Sequence, residues 1–153
     1  MALRNILKSG EDILKKVCRP VEKFDRRLAY LLDDLNETMA TADGIGLAAP
    51  QVGVLKRAAV IHNDDQVIEL VNPEIIESCG EQRENEGCLS FPGKYGVTVR
   101  PQWVKVRAQN RQGKTFEVKG EGLLARALCH EIDHLNGVLF FAHVIEEIDP
   151  EEN

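Results

Sequence analysis

Leu128-Cys129-His130-Glu131-Ile132-Asp133-His134-Leu135 places two histidines four residues apart around a glutamate, an H-E-x-x-H pentad inside an apolar stretch. On an α-helix turning roughly 100° per residue, positions four apart lie within about 40° of each other, so both imidazoles can reach one cation. Glu131 falls about 60° from His134 on the same arc, close enough to touch a water on that cation without ligating it. This is the arrangement of a metal-dependent hydrolase. The same letters also occur by chance in solvated helices, so the context matters. Leu123, Leu124, Ala127, Leu128, Glu131 and Leu135 recur at helical spacing, which predicts a helix with a largely buried apolar face, and Asn136-Gly137 supplies its stop. Burying two histidines and a glutamate without partners is costly, and a metal removes much of that cost.

Upstream of this helix the chain reads as strands. Arg57 to Ile61 and Val67 to Val71 flank the turn Asn63-Asp64-Asp65, and Asn72-Pro73 ends the second run. Further strands are expected at Glu74 to Ser78, Val97 to Val99, Trp103 to Ala108 and Thr115 to Lys119, the last two joined by Asn110-Arg111-Gln112-Gly113. At the other end, Glu11 to Cys18 reads as a short helix with Ser9 as its cap, stopped by Arg19-Pro20. A longer helix is expected from about Asp25, its N-cap, to Ala42, with Phe24 as a staple and Leu28, Leu31, Leu32, Leu35 and Met39 on one face. The fold class is therefore α+β: short, mostly antiparallel sheets packed around the C-terminal H-E-x-x-H helix, with an N-terminal helix.

At 153 residues the chain is expected to form a single domain, 1–153, and 43% hydrophobic residues suffice for its core. It has no apolar run long enough to span a bilayer and no apolar signal core, so a cytoplasmic location is expected. A net charge of -6 argues against a broad nucleic-acid surface. The acidic tail from Glu146 to Asn153 reads as a solvated end. Cys18, Cys79, Cys88 and Cys129 are expected to stay reduced. Cys129, one residue before His130, points about 100° away from it and reads as core.

A catalytic metal usually takes three protein ligands, so two histidines leave one to be found. His143, Glu146 and Glu147 lie downstream, and Cys88 lies between a glycine and a proline in Glu86-Gly87-Cys88-Leu89-Ser90-Phe91-Pro92. The residues alone leave these open. Gly44-Ile45-Gly46-Leu47-Ala48-Ala49-Pro50-Gln51 reads as a tight bend between helix and strand, and it lacks the lysine and hydroxyl residue of a phosphate loop.

Taken in order, GIGLAAPQ, EGCLS and HEIDH closely resemble the peptide deformylases, which remove the formyl group from the starting methionine of new bacterial proteins. Arg19-Pro20 and Gly122-Leu123-Leu124-Ala125 also look like that family, so the resemblance covers nearly the whole chain. It implies Cys88, His130 and His134 as metal ligands and Glu131 as general base and acid for a metal-bound hydroxide. It further implies the Gln51 amide and the Leu89 N–H as oxyanion donors, with Ile45, Gly46 and Leu47 beside an extended peptide substrate. The implied cofactor is one divalent ion, iron(II) first, with zinc, nickel or cobalt accepted by the same ligands. The implied partner is an N-formylmethionyl peptide, with formate released, no membrane and no sequence-specific nucleic acid. Glu86 and Arg100 look like an ion pair supporting the Cys88 segment, although an exposed, inert pair reads equally well. Several members carry a long helix after the pentad region, and this sequence ends at Asn153, so a transient ribosome contact is left open.

Two other readings share these residues. A small zinc peptidase would use His143 or a tail glutamate as third ligand, and a structural metal module would close the fourth position. Ile45, Leu128 and Cys129 read equally well as pocket wall or as core.

Overall fold

The computed structural model describes residues 2–8 and 11–148. Its central element is a five-stranded antiparallel sheet in the order β1-β2-β3-β6-β7, formed by β1 Gly46–Ala48, β2 Ala58–Asn63, β3 Gln66–Cys79, β6 Trp103–Gln109 and β7 Thr115–Glu121. A second, three-stranded antiparallel sheet runs β4-β5-β8, from β4 Gln82–Cys88, β5 Phe91–Arg100 and β8 Val144–Ile148. Helix α1 spans Arg26–Thr41 and α2 spans Leu123–Leu135. The expected α+β class is what the chain adopts.

The run Ala58-Ala59-Val60-Ile61 does not alternate polar with apolar because both faces of β2 are covered. Ala58 and Val60 pack with Leu28, Leu32 and Leu35 of α1, whereas Ile61 joins the cluster of Leu128, Cys129 and Ile132 on α2. Strands buried on two faces read as continuous apolar runs for this reason. The sheet thus separates the helices, and α2 lies against the face that carries Gly46 and Ala48.

Helix α1 starts where its cap predicts. The Asp25 carboxylate accepts from the Leu28 N–H at 3.1 Å, satisfying a donor that the first turn leaves free. Helix α2 ends at Leu135, with Gly137 at φ +72° in the left-handed region that stops the helix. Of its expected apolar face, Ala127, Leu128, Glu131 and Leu135 are buried, but Leu123 is exposed.

Four expectations need correction. The first helix is only a 3-10 turn over Asp12–Lys15, because the chain beyond it is drawn out into tertiary backbone bonds: Cys18 N–H to Leu135 C=O at 2.8 Å and Arg19 N–H to Leu55 C=O at 3.1 Å. Its expected cap, Ser9, lies outside the described residues. Asn72-Pro73 does not end the second strand. Asn72 instead takes φ +50° at an irregularity where β3 leaves β2 for β6, and its side chain bonds both the N–H and the C=O of Val21. For Gln82 to Cys88 the sequence predicts no strand, and it forms β4. The acidic tail is not wholly solvated, since Val144–Ile148 pairs with β5; residues 149–153 lie outside the described ones.

The capping bond holds the Asp25 carboxyl below its ordinary 3.8. A depressed native pKa contributes stability that is present above the unfolded value and is lost as pH falls through the native one. Asp25→Ala should therefore melt at a lower temperature than the parent near neutrality, with the gap closing in acid below about pH 4. Asp25→Asn, which caps without titrating, should keep its advantage over Asp25→Ala at both ends of the range. Thermal melts of the three proteins across that range check this.

Candidate metal centre and its cavity

Helix α2 and the β4–β5 turn meet at one point. His134 Nε2 stands 3.2 Å from His130 Nε2 and 3.3 Å from Cys88 Sγ, and the three donor atoms lie within 4.8 Å of one another. Two ligands of a tetrahedral zinc-like ion, at bond lengths near 2.0–2.3 Å, would be separated by about 3.3–3.6 Å. The two short donor separations match such an edge, so this thiol and these rings fit a metal ion.

Local structure explains how a cysteine so far away in sequence arrives there. Gly87 pairs with Tyr95 but Cys88 pairs with Phe91, so a bulge at the end of β4 turns the thiol toward α2, and Leu89-Ser90 closes the turn. A Cβ on Gly87 would stand 2.8 Å from the Tyr95 ring, so the glycine lets that ring lie over the bend. Phe91, Phe140 and Leu14 form an apolar cluster under the turn.

Glu86 fixes the His130 ring. Its carboxylate accepts from His130 Nδ1 at 2.7 Å, which leaves His130 Nε2 facing the other donors. It also accepts from Thr98 Oγ1 at 2.9 Å and from Arg100 at 2.7 and 3.2 Å. Arg100 continues to Asp133 at 2.6 Å, and Asp133 is 3.1 Å from His143 Nε2. The Glu86–Arg100 pair is buried, not exposed: the two side chains are 7% and 3% accessible. Burial opposes ionisation of Glu86, but the bonds from His130 and Arg100 outweigh it and take its pKa down to about 2. Burial likewise opposes the Arg100 cation, yet Glu86 and Asp133 hold it firmly charged.

The rings respond to their surroundings in opposite directions. Burial disfavours a charged His130, but Cys88, Glu131 and Glu86 push its pKa upward; burial, helped by His130, pushes His134 downward. Two adjacent bases compete here for one positive charge. Beside them Glu131 is buried, with Oε1 lacking a hydrogen-bond partner, and burial pushes its pKa up to about 7.

A cavity of about 550 Å³ opens over this cluster and is lined by Gly44, Ile45, Gly46, Gln51, Cys88 and Leu89 from one side and His130 and Glu131 from the other. A Cβ on Gly46 would collide with the Glu131 carboxylate, and one on Gly44 with the Leu89 side chain. Gln51 is buried and donates to Ser90 Oγ at 3.1 Å and toward Cys88 Sγ at 3.5 Å. Ile45 is 47% exposed at the rim, while Leu47 is fully buried against α1. Leu128 and Cys129 belong to the core and do not line the cavity. Of the other third-ligand candidates, His143 points at Asp133, outside the donor cluster, and Glu146 and Glu147 are exposed on β8.

Sequence reading missed Asp133, Thr98 and Ser90. Asp133 carried a signal, since it lies three residues after His130 and one before His134. Thr98 carried none, because only the β4–β5 register brings it to Glu86.

The polypeptide deformylase family model matches residues 3–149. A peptide deformylase of Alkaliphilus metalliredigens (strain QYMF) is 57% identical over 147 residues, which cover 96% of this chain and all of that protein. Among solved structures, a peptide deformylase from Legionella pneumophila superposes with a TM-score of 0.90 at 47% identity, covering 99% of this chain and 89% of that one. That of Thermotoga maritima gives 0.92 at 39% identity, over 94% and 99%. The resemblance carried by the three sequence segments is thus borne out over almost the full length, and the chain belongs to the polypeptide deformylase family of metal-dependent hydrolases.

Proposed function

We propose that this protein removes the formyl group from the N-terminal methionine of newly made proteins, with Cys88, His130 and His134 holding one divalent metal ion and Glu131 moving the proton. The observation that carries this reading is the convergence of one thiol and two imidazoles beside a buried carboxyl, with Cys88, His130 and Glu131 lining an open cavity. A bound divalent ion supplies Lewis acidity and acidifies water. Glu131 takes the proton from the water whose oxygen adds to the formyl carbon. The amide N–H of Gln51 and the backbone N–H of Leu89 hold the oxygen on which negative charge develops. As the carbon–nitrogen bond breaks, Glu131 returns its proton to the departing amine, leaving formate and a free N-terminus. Gly46 keeps the chain beside Glu131 free of a side chain, so Ile45, Gly46 and Leu47 can lie along an extended peptide.

The thiolate donates more charge than a third imidazole would, which weakens a zinc ion as a Lewis acid and favours iron(II), with nickel and cobalt also accommodated. The substrate places the enzyme in the cytoplasm, where chains are made. Domain limits of 1–153 belong to the same proposal.

Formate release from a formyl-Met-Ala peptide, compared with cleavage of Met-Ala, tests the activity: turnover confined to the unformylated peptide would overturn it. Glu131→Gln should lower kcat by about 10²- to 10⁴-fold. Metal content measured on the same sample should stay at the parent level, and undiminished turnover would remove Glu131 from its role.

Gly46→Ala should also lower kcat, by about 10²-fold, because its Cβ displaces the Glu131 carboxylate. Its thermal stability should fall much less than its activity.

Stripping the protein with a chelator should abolish turnover. Anaerobic reloading with iron(II) should restore about tenfold or more the rate given by zinc. Equal rates with the two metals would remove iron(II) from the proposal.

A further inference from the structure

The oxyanion role given to Gln51 contains a problem that its identity does not solve. A side-chain amide carries an oxygen acceptor on one side and two N–H donors on the other, and its last torsion has two broad wells related by a flip. In one orientation Gln51 offers a donor to the cavity. In the other it offers an oxygen, which would repel a developing oxyanion. Something must choose.

Two contacts do so. The backbone N–H of Ala48, at the end of β1, donates to Gln51 Oε1 at 2.9 Å. That N–H has no acceptor capacity, so it is compatible only with the oxygen. On the opposite side, Gln51 Nε2 donates to Ser90 Oγ at 3.1 Å and points toward Cys88 Sγ at 3.5 Å. Ser90 is fully buried and Gln51 is 1% exposed, so no bulk water competes for these bonds. An amide nitrogen has two hydrogens. With one committed to Ser90, the second is directed at the Cys88 edge of the cavity.

We propose that Ser90 is a positioning residue which, with the Ala48 N–H, locks the Gln51 amide in the single orientation that presents an N–H to the reacting carbonyl. Ser90 touches neither the donor cluster nor the substrate in this scheme and acts through Gln51. The lock joins the two sheets, because Ala48 ends β1 while Ser90 sits in the turn between β4 and β5. Its placement two residues after Cys88 means that the turn delivering the thiol also delivers the anchor for the amide. The inference rests on the proposed role of Gln51, and the experiment separates the two.

The direct readout is the Gln51 side-chain amide in a zinc-loaded sample, observed by 15N–1H NMR and assigned by its disappearance in Gln51→Ala. In the parent protein its two hydrogens should resonate apart and exchange slowly with solvent. Ser90→Ala should accelerate that exchange at least about tenfold, and Ser90→Thr, which keeps a hydroxyl, should restore protection. Rapid exchange already in the parent overturns the lock whether or not the variants fold. Kinetics then place the effect. At equal metal content Ser90→Ala should lower kcat about tenfold with KM little changed, and should have no further effect in a Gln51→Ala background. An equal loss in both backgrounds overturns the positioning role. Full turnover by Gln51→Ala, with the amide still protected by Ser90 in the parent, overturns the oxyanion reading and leaves the lock standing as structure alone.

Discussion

The Glu86 carboxylate is the constraint on which the centre depends, because three separate pieces of chain meet on it. It sits on β4, accepts from Thr98 and Arg100 of β5 and holds the His130 ring of α2. Through Arg100 the same network reaches Asp133, so α2 is gripped on both sides of Glu131. Magnitudes argue that this is not chiefly a device for stability. Replacing a buried ion pair by packed apolar groups is commonly neutral or stabilising by about 1–4 kcal/mol, whereas losing one partner costs about 3–5 kcal/mol. What the network supplies is direction: it fixes which nitrogen of His130 faces the cluster and where the β4–β5 turn stands relative to the helix. An apolar contact would supply neither.

The central sheet sets up the same meeting from the opposite side. With α1 covering one face and α2 the other, β1 becomes an edge strand whose Gly46 lies against Glu131 of the pentad. Its alternation then separates two tasks. Leu47 is spent on the α1 core, while Gly46 and Ala48 face α2, where Gly46 leaves room for the Glu131 carboxylate and the Ala48 N–H meets Gln51. A one-residue slip of β1 against β2 would place Leu47 on Glu131. The pairing of Leu47 with Val60 is therefore as much a requirement of the site as of the core.

Features encoded locally could be read from the sequence, and features created by register could not. The pentad helix, the Asp25 cap, the Asn136-Gly137 stop and the β2–β3 turn depend on neighbours a few residues away, and the structure has them where the letters place them. Residue chemistry alone left the third donor open among Cys88, His143, Glu146 and Glu147, because bringing a turn onto a helix is a tertiary event. It took the joint occurrence of three motifs to favour Cys88. Conversely, Glu11 to Cys18 has acceptable helical residues, but its end is drawn away from a second helical turn, with Cys18 bonded to Leu135 and the following Arg19 to Leu55. Glu146 to Ile148 looked like tail because it opens a stretch, Glu146 to Asn153, in which acidic residues outnumber apolar ones. As an edge strand it needs only one face covered, and Val144 lies closely over Gly96.

Burial of Glu131 shows why the site and the fold cannot be optimised separately. A carboxyl with an unpartnered buried oxygen costs free energy in any interior, and here the surroundings raise its pKa to about 7 instead of satisfying it. A core serving only stability would place a leucine there, as α2 does at Leu128 and Leu135 on the same helix. On the strand opposite, any side chain would collide with that carboxylate, and the chain carries Gly46 there. Two neighbouring elements have thus each given up packing at one point, and both concessions face the same cavity. Packing given up at one place and matched across two elements is what the proposed proton transfer at Glu131 would require: a carboxyl kept dry enough to hold a proton near neutrality, beside a cavity open to a substrate.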